Sequence, residues 1–161
     1  MNMDTIATEF TNFYYQTFDS NRAQLASLYV RFSFSPPADS LLPSCEADTS
    51  SPYLYAHTFH PRTAPQRPNS MLTFEGQPFQ GTESIVEKLV SLPFQKVAHQ
   101  VATRDVQPTG SDQSSLFVLV TGHLVVDDGE HPMSYTQAFT LAPDGAGSFY
   151  VYNDCFRLNL G

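Results

Sequence analysis

Residues Met71 to Val97, MLTFEGQPFQGTESIVEKLVSLPFQKV, constrain the fold more than any other stretch, because signals for strand, turn, strand, helix and strand follow one another without a gap. Leu72 and Phe74 alternate with polar neighbours, and Glu75-Gly76 supplies a turn. Gln77 to Gln80 reads as a short return strand, closed by Gly81. Thr82 is placed to cap a helix, with Glu83 in the first turn where the helix dipole favours an acid. Ile85, Val86 and Leu89 form the apolar stripe of that helix, and Pro93 stops it after Leu92.

The N-terminus reads as one amphipathic helix. Asp4 caps it, and Ile6, Phe10, Phe13, Tyr14 and Phe18 recur at helical spacing. Asp19-Ser20-Asn21 breaks it, and Arg22 to Tyr29 reads as a short second helix. Beyond the central stretch, Lys96 to Val106 alternates as a strand, with Val97, His99, Val101, Thr103 and Asp105 on one face. Pro108 to Ser114 is a polar loop. Leu116 to Val126 is nearly continuously apolar, which predicts a strand buried on both faces or paired across a subunit interface. Asp127 to Pro132 is a turn, Ser134 to Leu141 returns, Pro143-Asp144-Gly145 turns again, and Ser148 to Leu158 is the last strand. Three long strands at hairpin spacing, after two helical segments and a short hairpin, predict an α+β domain with a bent antiparallel sheet.

Val30 to Gln66 breaks this order. It holds six of the chain's twelve prolines and six serines, with no sustained periodicity. Its scattered apolar residues do not bury enough surface to offset ordering entropy, so disorder is the physical expectation.

Partner classes follow from charge. A net charge of −8 repels nucleic acid and anionic membrane and suits a basic protein surface better. Cys45 and Cys155 make neither a disulfide framework nor a metal spacing, which suits a reducing compartment. No apolar run approaches the ~18 residues of a membrane span, and the N-terminus lacks a signal peptide's basic start. A cytosolic or nuclear protein is the expectation.

Chemistry is harder to place. No Gly-rich phosphate loop, zinc spacing or nucleophile elbow is present, so neither a metal nor a cofactor is expected. His57 and His60 imitate a metal pair without a third ligand nearby. His99 and Asp105, six residues apart, lie about 20 Å apart along an extended strand and form no catalytic pair without a bend. His99 reads as a half-buried polar residue, Asp154 beside Arg157 as a structural ion pair or a strand-end polar contact. Tyr14 and Tyr15 read as packing residues with one wet hydroxyl, pocket lining being the alternative. Taken alone, Glu75 and Asp127 are solvated turn acids.

FEGQPFQGTESIVEKLVSLPFQKV (74–97), FYYQTFDSNRAQLASLY (13–29) and the closing NDCFRLN (153–159) resemble the nuclear transport factor 2 family, dimeric carriers that return the GDP form of the small GTPase Ran to the nucleus. The resemblance covers residues 4–29 and 67–160. It implies a cone-shaped fold, a bent sheet wrapped around the N-terminal helix, and a homodimer at the nuclear pore, shared between cytoplasm and nucleus. It also implies Ran contacts through Glu75 and Asp127 around a hollow formed by Phe74, Leu92, Val97, Leu124 and Phe156, which receives a Ran phenylalanine. The counterpart of the family's second loop acid is either Gly129, which has no side chain, or Glu130. Phe-rich nucleoporin repeats are the other implied partner, and Met3 stands where the family usually exposes an aromatic ring. A small cone-fold enzyme of the isomerase or dehydratase type is the competing class, and a module of the same fold that has lost Ran is a third.

Excising Val30–Gln66 leaves 124 residues and joins Leu28-Tyr29 to Arg67-Pro68, which resembles the family's uninterrupted junction. Val30-Arg31 can be encoded GTACGT, which suits an intron's start, and Gln66 by CAG, which suits its end. A translated retained intron is therefore expected, a lineage-specific loop being the rival. Transcripts spanning codons 29 to 67 are expected to include spliced messages. If every message retains the segment and its peptides occur in cell extracts, the intron reading is wrong.

Overall fold

The computed structural model of the chain describes residues 2–30, 69–127 and 129–159. Beyond Val30, the stretch read as a composition break lies outside the described residues, and so do Cys45, His57, His60 and Asp128.

Helix α1 (Met3–Ser20) forms as its aromatic spacing predicts, burying Ile6, Phe10, Tyr14 and Phe18. Phe13 instead stays exposed on the opposite face. The cap is Asn2, whose side chain accepts from the Asp4 amide at 3.2 Å, so Asp4 serves as the first-turn acid and not as the cap. A 3-10 turn (Arg22–Leu25) and α2 (Ala26–Val30) follow as one short helical segment. Ser70 donates to the carbonyl of Val151 at 2.8 Å and lies 3.5 Å from that of Tyr29, so residues on either side of 31–68 are in contact.

Strands β1 (Met71–Phe74) and β2 (Gln77–Gln80) make the predicted hairpin, with Glu75 and Gly76 both at positive φ in its turn. Helix α3 (Thr82–Val90) begins one residue earlier than expected, since Gly81 at φ +82° occupies the cap position without a side chain. Thr82 is then the first helical residue, and its hydroxyl is buried without a partner.

Strands β3 (Val97–Thr109), β4 (Ser115–Val126), β5 (Met133–Pro143) and β6 (Phe149–Leu158) run as an antiparallel meander. The sheet order is β2-β1-β6-β5-β4-β3. The sheet is antiparallel as expected except at one pair. β6 arrives beside β1 in the same direction, and that pair is parallel.

A correction concerns β3. Val101 pairs with Gly122 but Thr103 with Thr121, so Ala102 is the extra residue of a bulge. The strand faces exchange there. His99 and Val101 face inward, and so does Arg104, whose guanidinium bonds Thr11 and Thr8 of α1; Thr103 and Asp105 are exposed. Gly122 opposite the bulge has no room for a side chain, since a Cβ would lie 2.3 Å from the Gln100 carbonyl.

The core lies between α1 and the inner sheet face. Phe10 meets Phe139 edge-on at 4.9 Å, and Tyr14 meets it at 4.8 Å. β4 is buried on one face only, through Leu116, Val118, Val120 and Leu124, while Phe117 on the outer face is exposed. Its apolar run is therefore not explained by burial on both sides within one chain.

Candidate functional site

Side chains from six elements and from the loop before β3 meet at the open end of the core around a hollow of about 60 Å³. Phe74 of β1, Val97 of β3, Leu124 of β4 and Phe156 of β6 line it together. Phe74 and Phe156 are stacked at 4.8 Å with nearly parallel rings, which sets one wall. Leu92 belongs to the core and is not part of the lining. Phe18, Phe94, His99, Val126, Met133 and Leu158 complete the lining. Of these, Phe18 was marked by its place in the aromatic stripe of α1, His99 by sharing the strand face of Val97, and Val126 by ending the apolar run of β4.

Glu75 and Asp127 each follow a lining residue in the chain, Phe74 and Val126, and both sit at positive φ. Neither is a freely solvated turn acid. The Glu75 amide donates to the Phe156 carbonyl at 3.2 Å, continuing the β1–β6 ladder. At the next rung Gly76 turns away, and the Glu75 side chain takes over as acceptor for the Leu158 amide at 2.5 Å. Its other oxygen stands 3.7 Å from the exposed Arg157 guanidinium. One Asp127 oxygen accepts from the amides of Gln95 and Lys96, at 2.9 and 2.8 Å. Both carboxylates are thus fixed by backbone donors, with charge left facing outward. Gly129 is held in the following turn by a bond from its amide to the Val126 carbonyl, and Glu130 is exposed beside it. Met3 is exposed on the first turn of α1.

Below the hollow, His99 is paired with Asp19 and not with Asp105. The contact is 2.5 Å through Nδ1, and the His99 amide also donates to Asp19 at 2.9 Å. The residue is half-buried as expected, with its side chain only 2 % exposed. Eighty positions separate the two, and no local pattern signals the pair.

Arg22 holds the loop that bears Phe94. Its guanidinium lies 4.3 Å over the Phe94 ring and donates to the Phe94 carbonyl at 3.0 Å. Burial lowers its pKa from the ordinary value, and the Asp127 and Asp19 carboxylates oppose that shift.

Deeper in, Asp154 is fully buried and makes no pair with Arg157. An odd separation along a strand puts the two on opposite faces. Asp154 accepts from Tyr14 at 3.0 Å, Tyr29 at 2.7 Å and Gln137 at 2.7 Å, and Tyr15 donates to Gln137. The tyrosine hydroxyls are therefore dry, contrary to the expectation of a wet one. Burial raises the Asp154 pKa to about 6 against the opposing pull of its three donors, and lifts Tyr14 and Tyr29 well above the usual phenol range. An acid with a raised pKa is what proton transfer needs, but Asp154 is buried and lines neither the hollow nor the two shallower cavities described among residues 4–23, 90–95 and 104–119. No group of three metal-ligating side chains occurs among the described residues, and no described helix is long and apolar enough to cross a membrane.

Comparison with known proteins bears on this geometry. Residues 62–158 match the nuclear transport factor 2 (NTF2) domain. The chain is 47% identical over 154 residues to nuclear transport factor 2 of Emericella nidulans, covering 96% of this chain and 93% of that one. It is 44% identical over 159 residues to that of Debaryomyces hansenii, covering 99% and 97%. The solved structure of nuclear transport factor 2 from Cryptosporidium parvum superposes with a TM-score of 0.69 at 34% identity, covering 98% and 94%.

Proposed function

The chain belongs to the nuclear transport factor 2 family, and from that premise we propose that it carries the GDP form of Ran through the nuclear pore. Its role is that of a nuclear import carrier and not of an enzyme. One observation supports the Ran reading most: an apolar hollow flanked by two carboxylates, Glu75 and Asp127, already oriented by backbone donors. A protruding aromatic side chain fills such a hollow, and basic groups beside it meet the acids. An apolar anchor ringed by charge pairs that exclude water is ordinary interface physics. Glu130 offers a further acid on the same turn as Asp127.

Phe-rich nucleoporin repeats are the second partner of this reading, with Met3 contributing unbranched, adaptable apolar area where they dock. The carrier acts as a homodimer, moves between cytoplasm and nucleus and concentrates at the pore. The exposed outer face of β4 around Phe117 supports a two-fold interface, since it accounts for an apolar run that one chain leaves half covered. Residues 30–66 are not needed for either contact and stem from a retained intron. Mixing the purified chain with Ran-GDP tests the function, and a stable complex is expected. Absence of a complex leaves a module of this fold that does not carry Ran. Sedimentation at micromolar concentration is expected to give twice the 17.9 kDa chain mass, and a monomer there contradicts the dimer.

A further inference from the structure

We propose that Arg22 is a positioning residue for the Ran site, holding the Phe94 wall of the hollow without touching the partner. The inference rests on the reading of the hollow as the Ran site. Phe94 lies on the loop 91–96 between α3 and β3, which has little regular bonding of its own. Within it the Phe94 amide reaches the Leu92 carbonyl at 2.9 Å, and Ser91 closes onto the last turn of α3.

Two side chains of opposite charge clamp this loop from outside. Arg22 takes the carbonyl of residue 94, and Asp127 takes the amides of residues 95 and 96. The signs are the correct ones, a cation on the carbonyl and an anion on the amides. Arg22 also stacks on Phe94 and stands 5.6 Å over Phe18, so it spans two of the hollow's aromatic walls from behind. A planar guanidinium does this and an ammonium does not, because only the fork can stack on a ring and donate in its own plane at once. An aromatic side chain entering the hollow gains most where its contacts are fixed in advance, since a loose wall must be ordered on binding.

The test compares Arg22→Lys and Arg22→Ala with the wild type in full-length protein, measuring association and dissociation of Ran-GDP at two salt concentrations. Both variants are expected to dissociate about tenfold faster, and in Arg22→Lys, which keeps the charge, the association rate and salt dependence stay unchanged, because an ordered wall acts on residence and not on steering. In a Phe94→Ala background, Arg22→Lys is expected to add no further loss. Exchange of the Gln95 and Lys96 amides in the free protein is expected to quicken in both. Full activity of Arg22→Lys, a changed salt slope in Arg22→Lys, or additive losses with Phe94→Ala would overturn the proposal, each pointing to charge or bulk stability instead. If the wild type forms no complex, the Ran reading falls and this inference with it; a normal wild type with normal variants removes only the role of Arg22.

Discussion

Asp154→Ala is expected to lower folding stability by about 3–5 kcal/mol, the usual cost of removing one member of a buried polar cluster. The hydroxyls of Tyr14 and Tyr29 and the amide of Gln137 all donate to this carboxylate; without it both hydroxyls would be left buried without an acceptor, and Gln137 would keep only its bond to the Tyr14 hydroxyl. Asp154→Asn keeps the shape. Its oxygen takes both tyrosines, and the Gln137 amide turns over to accept from the new amide, so that the Tyr15 hydroxyl, which donated to the Gln137 oxygen, accepts from its nitrogen instead. Stability near that of the wild type is expected at about pH 4, where the wild-type carboxyl is protonated, and at or above it at neutral pH. The pH dependence separates the two forms further. The folded pKa is raised from 3.8 to about 6, so the folded state holds its proton more tightly than the unfolded chain. The associated stability is fully present below pH ~4 and is lost as pH rises through ~6, a change of about 3 kcal/mol for two pKa units. Denaturant melts between pH 4 and 7 are expected to show that decline in the wild type and not in Asp154→Asn. Equal slopes in the two would remove Asp154 as its source.

Glu75→Lys is expected to weaken Ran-GDP binding by about 2–5 kcal/mol, the cost of reversing one partner of a desolvated charge pair. Lysine at that position also leaves the Leu158 amide without its acceptor, which adds about 1 kcal/mol of lost stability. Glu75→Gln is the cleaner variant, because its carbonyl still receives Leu158 while the charge is gone. It is expected to fold and dimerise normally, to bind about tenfold more weakly, and to show a smaller salt dependence. Asp127→Asn is the matching change on the other side of the hollow, since it keeps the acceptor for Gln95 and Lys96. Wild-type affinity in both amide variants would take the two acids out of the site.

The β1–β2–α3 stretch was legible because its punctuation is local: a Glu-Gly turn, a Gly before the helix, a Pro after it. The hairpin spacing of the later strands was legible for the same reason. The parallel β1–β6 pair was not, since strand order is decided by which faces cover the core and not by neighbouring residues. The bulge at Ala102 carries no residue signature either, and it moved Asp105 away from His99. Asp154 could have been placed better. Phe156 reads as an inward residue, and alternation then puts Asp154 inward and Arg157 outward. What alternation does not supply is the set of donors, which comes from α1, α2 and β5. The acids of the site were found through family resemblance, but their backbone partners required the fold. Sequence alone marks Glu75 as a turn residue, whereas the structure makes it the last acceptor of a ladder.

The most direct test of the hollow is a methyl-detected magnetic resonance titration of the chain with Ran-GDP. An aromatic ring entering the hollow places its current over the methyl groups of Val97, Leu124 and Val126, which line it. Large shifts of these three are expected on binding, while Val151, buried away from the hollow, stays in place. A complex that forms without moving the Val97, Leu124 and Val126 methyls would contradict the account.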